Sequence, residues 1–188
     1  VGSTSASASF GYLGGMNNFG GGASGSLLQF DQPQAVARSM DGSFFVADSN
    51  NHRIVKLDSS GQFVLTWGIQ GTGDGQFNNV WDIDIAPDGT VFVADISNHR
   101  IQWFSQDGTF IGKLGGPTVG TGAGQFSQPA GVAVAPDGSV WVSDLQNDRL
   151  QHFTLTAGVA NTPTIHGSNG TGDGQFVRPY GIDVDPTD

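Results

Sequence analysis

The sequence is organised by an internal repeat. The segment GQFNNVWDIDIAPDGTVFVAD at 75–95 returns as GQFSQPAGVAVAPDGSVWVSD at 124–144, and a looser copy, LQFDQPQAVARSMDGSFFVAD, stands at 28–48. A fourth copy begins within 171–188, TGDGQFVRPYGIDVDPTD. A period of nearly fifty residues is typical of propeller blades or of paired-helix repeats. One phenylalanine marks each copy, and the successive spacings are 47, 49 and 50 residues: Phe30, Phe77, Phe126 and Phe176.

The composition decides between these two architectures. The chain of 188 residues contains 30 glycines and 8 prolines, and all of its 17 acidic residues are aspartate. Asp and Gly favour turns and caps, whereas Glu and Lys are good helix formers. Glutamate is absent, and lysine occurs only as Lys56 and Lys113. The composition therefore excludes paired helices and predicts short strands joined by tight turns.

Four strands can be assigned within one repeat. In the second copy, WDIDIA (81–86) is followed by the turn PDG and then by TVFVAD (90–95). RIQWF (100–104) and FIGKLG (110–115) come next, with SQDG between them. Pro fixes φ and Gly allows a positive φ in such turns, while Val, Ile and Phe favour strands. Four short antiparallel strands per repeat predict an all-β fold, a β-propeller in which each repeat forms one four-stranded blade.

The second and third strands of each repeat are joined by a motif that a known family shares. The motif is NHRI at 51–54 and 98–101, and NDRL at 147–150. Over residues 28–188 the chain resembles the NHL-repeat family of β-propellers. The resemblance implies the propeller fold, but relatives include scaffolding and RNA-binding propellers, receptor ectodomains and amidating lyases. One fold hosts many functions, so the function has to be argued from the residues.

The repeat boundaries divide the chain into three full blades and two partial ones. A Gly/Ser-rich segment precedes the blades and could supply outer strands of a split blade at 3–9 and 10–15, and the first strand of a further blade follows them. Propellers usually close with about four to eight blades. We therefore expect this chain to be completed by further blades of a longer polypeptide or by other copies of itself. The predicted boundaries are 1–27, 28–75, 76–124, 125–174 and 175–188.

An aspartate and an arginine recur five positions apart around each NHL motif. The aspartate ends the second strand and the arginine begins the third, so the two side chains are expected to face each other across a hairpin. Opposite charges in such positions contribute about 0.2–1 kcal/mol. Catalytic groups are not normally installed once per blade, so no catalytic residue is predicted. The structural hairpin pairs are Asp48 with Arg53, Asp95 with Arg100, and Asp144 with Arg149.

The loops between second and third strands, with the starts of the first strands, form a candidate binding face. Partners of this family often dock there, and aromatic rings with nearby amides suit sugars and peptide loops. We therefore predict a surface for protein or glycan partners, although the two aromatic residues could instead pack between blades. The surface comprises Gln34, Asn51, His52, Trp81, Asn98, His99, Asn147, Asp148 and Tyr180.

Metal ligands are scarce near the predicted axis. The lyase relatives hold zinc through histidines near the central channel, but His52, His99, His152 and His166 all lie outside the first strands. Aspartates in or just after the first strands could bind Ca²⁺ through their oxygens. The alternative is that these carboxylates are solvated or hydrogen-bonded. No cofactor is predicted, and the calcium candidates are Asp82, Asp84, Asp183 and Asp185.

Charge and composition restrict the partners. The formal net charge is −10, which repels polyanions and argues against nucleic acid as a partner. No apolar run approaches the roughly 18 residues of a membrane helix. The chain has no cysteine, and its wealth of Asp, Asn, Gly, Ser and Thr favours an extracellular or cell-surface location over the cytoplasm. The triplet NGT at 169–171 is a glycosylation sequon, with Asn169 as the acceptor.

These features favour a non-catalytic binding or scaffold propeller for protein or glycan partners. One alternative is a self-assembling structural subunit that forms a ring or a filament, because head-to-tail contacts between open blades generate one or the other. Another is a fragment of a metal-dependent lyase or hydrolase, in which missing blades would supply further ligands.

Overall fold

A computed structural model describes residues 29–185 of the chain, and they form an all-β structure of three four-stranded antiparallel sheets. Each sheet is one sequence repeat, which we call the first, second and third blade. The first blade contains β1 (Pro33–Arg38), β2 (Phe44–Asp48), β3 (Arg53–Leu57) and β4 (Phe63–Trp67). The second contains β5 (Val80–Ile85), β6 (Val91–Asp95), β7 (Arg100–Phe104) and β8 (Phe110–Gly115).

The third blade carries an insertion. Its sheet consists of β9 (Pro129–Val134), β10 (Val140–Asp144), β11 (Arg149–Phe153) and β14 (Thr164–His166). A short hairpin of β12 (Leu155–Thr156) and β13 (Val159–Ala160) is inserted between the third and fourth strands. The described helices are the 3-10 turns Ile96–Asn98 and Leu145–Asn147, and no described helix is long and apolar enough to cross a membrane.

The predicted propeller fold is confirmed. In the second blade the predicted strands match the observed ones to within one residue at each end, because turn residues and strand-forming residues alternate clearly there. The three sheets follow one another without closing into a ring. The segment 1–27, including the strands predicted at 3–9 and 10–15, lies outside the described residues.

The start of the fourth repeat packs beside the third blade. Residues 180–185, predicted as a first strand, are not assigned to a strand, since the second strand with which they would pair is not among the described residues. Their position nevertheless continues the repeat: the backbone N–H of Arg178 donates to Asp148, and the Ser143 hydroxyl donates to the carbonyl of Tyr180.

Large apolar side chains fill the space between successive blades. Each is almost inaccessible to solvent, and burial of one such side chain contributes about 1.5–3 kcal/mol. The first interface includes Phe45, Ile54, Phe77 and Phe104, and the second includes Phe92, Trp103, Phe126 and Phe153. The blades therefore share their cores, and the repeat-marking phenylalanines at 77 and 126 lie within them.

A glycine at the end of the fourth strand makes room for each of these phenylalanines. Gly115 has a φ of 87°, and a Cβ there would lie 2.8 Å from the ring of Phe126 and 2.6 Å from the carbonyl oxygen of His99. Gly68 has a φ of 101° and approaches Phe77 in the same way. Only glycine combines this backbone conformation with such close packing.

Candidate functional site

The structure brings the members of each hairpin pair together in a clamp. In the second blade, Nε of Arg100 donates a 2.8 Å hydrogen bond to Oδ2 of Asp95, and both side chains are fully buried. The third blade repeats this between Arg149 and Asp144 at 2.8 Å, with the arginine side chain 8% exposed. In the first blade the distance is 2.7 Å, and the side chain of Arg53 is 18% exposed. Breaking a buried pair is far costlier than breaking a surface pair.

The arginine of each clamp also holds the loop that enters its own blade. The terminal nitrogens of Arg100 donate to the carbonyl oxygens of Thr72 at 2.8 Å, Gly73 at 2.8 Å and Gln76 at 2.7 Å. Arg149 makes the same three contacts in the third blade. The planar guanidinium matches this array of acceptors, which a lysine could not do. The charge and the planar shape of the clamp arginine are therefore both engaged in contacts that stabilise the fold.

Two glutamines complete the clamps, and sequence reasoning missed both. Gln102 donates from Nε2 to Asp95 and to the Gln76 carbonyl, and its Oε1 accepts from the backbone N–H of Gly75. Gln151 does the same in the third blade. The available signal was their identical position, two residues after the clamp arginine. The first blade has Val55 there, so its clamp lacks the bonds that the glutamine makes in the other two blades.

The histidine of the NHL motif joins one blade to the next. Nδ1 of His52 accepts a 3.2 Å hydrogen bond from the backbone N–H of Asn79, and Nδ1 of His99 accepts one of 3.1 Å from Gln128. In the third blade Oδ1 of Asp148 accepts from Arg178 at 2.7 Å. The acceptor residue is left-handed in each case, with φ of 51°, 54° and 53°, a conformation in which His and Asp are enriched. We call these contacts the blade latches.

The asparagines of the predicted binding face are also engaged within the fold. Asn98 donates from Nδ2 to Asp95 Oδ2 and to the carbonyl of Gly71, and it is buried. Asn147 makes the two equivalent bonds, to Asp144 and Gly120. Asn51 donates to Asp48 and to the carbonyl of Gln29. Their amide nitrogens thus anchor the loops, and the binding role predicted for them stays a prediction.

The structure brings Trp81 and Tyr180 together although they are far apart in sequence. They occupy the same position in the second and fourth repeats, and their ring centroids lie 6.1 Å apart at an interplanar angle of 53°. Trp81 also packs on the small apolar cluster of Ile96, Ala130 and Leu145 at the second blade interface. Tyr180 is 50% exposed. Gln34, the first-blade equivalent, is exposed on β1.

Two aspartates of the first strand β5 link it to the first strand β9 of the next blade. Oδ2 of Asp82 accepts a 2.9 Å hydrogen bond from the backbone N–H of Val132, and Oδ2 of Asp84 accepts one of 2.7 Å from Val134. Burial raises the pKa of Asp82 to about 7, against the lowering effect of its two backbone hydrogen bonds. Burial likewise raises the pKa of Asp84.

The other calcium candidates lie at the start of the fourth repeat. Oδ1 of Asp183 accepts from the backbone N–H of Val184, as Asp84 does from Ile85. Asp185 is exposed. Among residues 29–185, no three His or Asp side chains converge as a metal-binding group. Calcium at these aspartates stays a prediction.

The remaining histidines lie on the third blade. The ring of His152 stacks on Trp141 with centroids 4.3 Å apart, and His166 lies 5.0 Å from the same tryptophan.

Asn169, the acceptor of the sequon, donates from Nδ2 to Oδ2 of Asp148 at 2.8 Å. The nitrogen to which a glycan would be attached therefore already donates to Asp148, the acceptor of the latch in the third blade.

Comparison with protein families identifies the repeat. The sequence profile described as "NHL repeat" matches residues 30–57, 77–104 and 126–153. Each match begins at a repeat-marking phenylalanine and ends with the third strand of its blade. Curated protein sequences give no match.

Solved structures share the fold at low sequence identity. A streptogramin B lyase is 18% identical with a TM-score of 0.61, covering 80% of this chain and 44% of that one. Hydrazine synthase of Kuenenia stuttgartiensis is 12% identical with a TM-score of 0.62, covering 88% and 43%. A gluconolactonase of Xanthomonas campestris is 17% identical with a TM-score of 0.58, covering 80% and 52%. The chain thus spans about half the length of these structures.

Proposed function

The chain belongs to the NHL-repeat family, and from this premise we propose that it is a non-catalytic binding or scaffold module for protein or glycan partners. The polar residues that recur once per blade support the proposal, because their side chains are used within the fold. The clamp arginines hold backbone carbonyls, and the latch residues His52, His99 and Asp148 hold the next blade. Few of these recurring polar side chains are therefore free to take part in a reaction.

The observation that carries the proposal is the aromatic pair of Trp81 and Tyr180. The tryptophan is held by the apolar cluster at the blade interface, so the position of its ring is already fixed before a ligand binds. The tyrosine is half exposed and offers both a ring face and a hydroxyl. A fixed ring beside an accessible one suits the apolar face of a sugar or a peptide side chain, since little conformational freedom is lost on binding. The composition supports an extracellular setting.

An array of glycans and short peptides, followed by calorimetric titration of the hits, tests this proposal. Tyr180→Ala should weaken binding of a true ligand at least tenfold. Val64→Ala, which removes an exposed side chain from the outer strand β4, is the matched control and should change nothing. Equal binding by wild type and Tyr180→Ala would show that the aromatic pair is not the binding site. Absence of any hit would count against the binding role.

Self-assembly is a second candidate, favoured by the open side of the third blade. In the second blade, Phe92 and Trp103 are buried by the third blade. The corresponding residues of the third blade are Trp141 and His152, which are only partly buried. Copies that cover this surface in turn would build a ring or a filament. Light scattering over a concentration series should then give multiples of 19.5 kDa that Trp141→Asp abolishes, whereas a constant monomer mass would reject this candidate.

The enzyme alternative rests on Asp82 and Asp84 of the first strand β5. A carboxyl with a pKa near 7, as burial gives Asp82, is suited to proton transfer near neutral pH. Two of the structural relatives are named as a lyase and a gluconolactonase. Metal analysis after dialysis against Ca²⁺ and Zn²⁺ tests this alternative. A stoichiometric ion lost in Asp82→Asn would support it, and an ion-free chain would oppose it.

A further inference from the structure

The three blade latches differ in their acceptor chemistry. His52 and His99 accept through Nδ1 of an imidazole, whereas Asp148 accepts through a carboxylate oxygen. A ring nitrogen accepts only while it carries no proton, so each histidine latch requires a neutral ring with its proton on Nε2. A proton on Nδ1 would place one donor against another at the backbone N–H. The two histidine latches therefore depend on a side-chain type whose charge changes between about pH 5 and 8.

Both partners of each histidine latch have left-handed backbone conformations. The acceptors His52 and His99 have φ of 51° and 54°, and the donors Asn79 and Gln128 have φ of 61° and 58°. This conformation costs free energy in residues other than glycine and persists only where the surroundings hold it in place. Each latch joins two such residues, so its loss removes one of the contacts that hold them in this conformation.

The latch of the third blade does not share this dependence on an imidazole. Hydrogen bonds from the backbone of Arg178 and from the side chain of Asn169 lower the pKa of Asp148. The carboxylate therefore stays charged well below neutral pH, with Oδ1 accepting from Arg178 and Oδ2 from Asn169. The same position of the fold thus carries a latch that mild acid leaves closed.

The charged groups around the histidine latches are engaged with other partners. In the loops that enter the first and second blades, Asp31 accepts from Asn50, and Asp74 pairs with Lys113. No aspartate among residues 29–185 forms an ion pair with either latch histidine. A proton on either ring would therefore not be compensated by an ion pair. The clamps on the two sides of these latches are Asp48 with Arg53, Asp95 with Arg100, and Asp144 with Arg149.

The second blade interface contains two further titratable groups. Asp82 and Asp84 join its first strands, and burial raises the pKa of both. Protonation of these carboxyls stabilises the folded chain as the pH falls, which is opposite in sign to the effect of a histidine latch. The first interface has Ala35 and Ala37 at the corresponding positions. His52 therefore acts there without this opposing contribution.

We propose that His52 and His99 make the first two blade interfaces acid-sensitive at their NHL-loop end: protonation of either imidazole releases the backbone N–H that its Nδ1 holds, while the Asp148 latch stays closed. The latched chain excludes from Nδ1 a proton that the unfolded chain binds as the pH falls through about 6.5. The contribution of each histidine latch to stability is therefore fully present above this pH and is lost as the pH falls below it.

The expected change is local. Large apolar side chains such as Phe77 and Phe126 stay buried between the blades, and one hydrogen bond contributes little against this burial. Asn79 stands two residues before Trp81, so the backbone segment released from His52 leads to the aromatic pair. The device belongs to the fold itself and does not require that this pair binds a ligand.

Amide hydrogen exchange followed by NMR tests the proposal on the wild-type chain. Protection of the Asn79 and Gln128 amides, corrected for the intrinsic effect of pH, should fall about tenfold between pH 7.5 and pH 5.0. The adjacent amides of Asn78 and Ser127 are internal controls. They donate to the clamp carboxylates and should keep their protection, as should the amide of Arg178.

Two variants exchange the chemistry of the latches. His52→Asp combined with His99→Asp replaces both imidazoles by the acceptor of the third blade, and it should abolish the loss of protection at pH 5.0. Asp148→His is the reciprocal variant, and it should make the Arg178 amide lose protection in acid.

Unchanged protection of the Asn79 and Gln128 amides at pH 5.0 would overturn the proposal. An equal loss at Asn78 and Ser127 would also overturn it, because it would indicate general unfolding in acid. The same loss in the double Asp variant would show that the imidazoles are not the cause. None of these measurements involves a ligand, so their failure would leave the proposed binding role standing.

Discussion

His99 of the second blade accepts a 3.1 Å hydrogen bond at Nδ1 from the backbone N–H of Gln128, which precedes the first strand of the third blade. The histidine stands in the motif that most resembles catalytic machinery, beside an arginine and close to an aspartate. The geometry of His99 indicates a structural role, because its acceptor nitrogen is directed to the backbone of the neighbouring blade. Asp148 performs the same role with a carboxylate oxygen.

The clamp arginine of the second blade should be intolerant of lysine. Arg100→Lys removes the planar fork that holds three carbonyls and leaves Asp95 buried with a poorly placed cation. We expect the free energy of unfolding, measured with urea, to fall by about 3 kcal/mol, as for other disrupted buried pairs.

Arg53→Lys is the control for this prediction. Among residues 29–185, Arg53 bonds Asp48 and the carbonyl of Gln29, and its side chain is 18% exposed where that of Arg100 is fully buried. The loss should therefore be smaller, about 1 kcal/mol for one or two hydrogen bonds. Equal losses in the two variants would show that burial and carbonyl contacts do not set the strength of the clamp.

The glycine that approaches Phe126 should be sensitive to a single methyl group. Gly115→Ala forces a side chain into a positive-φ conformation and towards the backbone of His99, so we expect the unfolding free energy to fall by about 2 kcal/mol or more. Gly116→Ala is the neighbouring control, since a Cβ there meets nothing within 4 Å. Loss in both variants would point to a general effect of chain stiffness instead of this contact.

Asp82 should make stability depend on pH. Burial raises its pKa to about 7, above the unfolded value of about 3.9, so the folded chain retains a proton that the unfolded chain releases between these values. The stabilisation is fully present below about pH 4 and is lost as the pH rises through about 7.

Asp82→Asn tests this dependence by comparison of unfolding free energies at pH 5 and pH 7.5. Wild type should lose on the order of 2 kcal/mol more than the variant over this interval. Asp173→Asn, in an exposed loop, should behave as wild type. Parallel profiles for wild type and Asp82→Asn would reject the buried carboxyl as the source.

The strands and the hairpin pairs could be anticipated because they depend on local chemistry. PDG turns, strand-forming residues and an aspartate five positions before an arginine define hairpins without knowledge of distant contacts. Trp81 and Tyr180 share one repeat position in the sequence, but their contact depends on how successive blades are placed.

The latches and the glutamine contacts depend on relations between segments that are distant in sequence. His52 and Asn79 are 27 positions apart, and nothing near the histidine reveals that the partner is a backbone N–H. The inserted hairpin follows the third strand where a fourth strand is expected, so its position could not be obtained from the repeat.

Urea unfolding of His99→Asp beside His99→Ala tests most directly whether the NHL motif holds successive blades together. If the motif builds the propeller, His99→Asp should keep the unfolding free energy within about 0.5 kcal/mol of wild type, because Asp148 already serves as a latch in the third blade. His99→Ala should lose about 1–2 kcal/mol, because a hydrogen bond is lost and alanine is disfavoured in the left-handed conformation. Wild-type stability in His99→Ala, or equal losses in both variants, would contradict the latch.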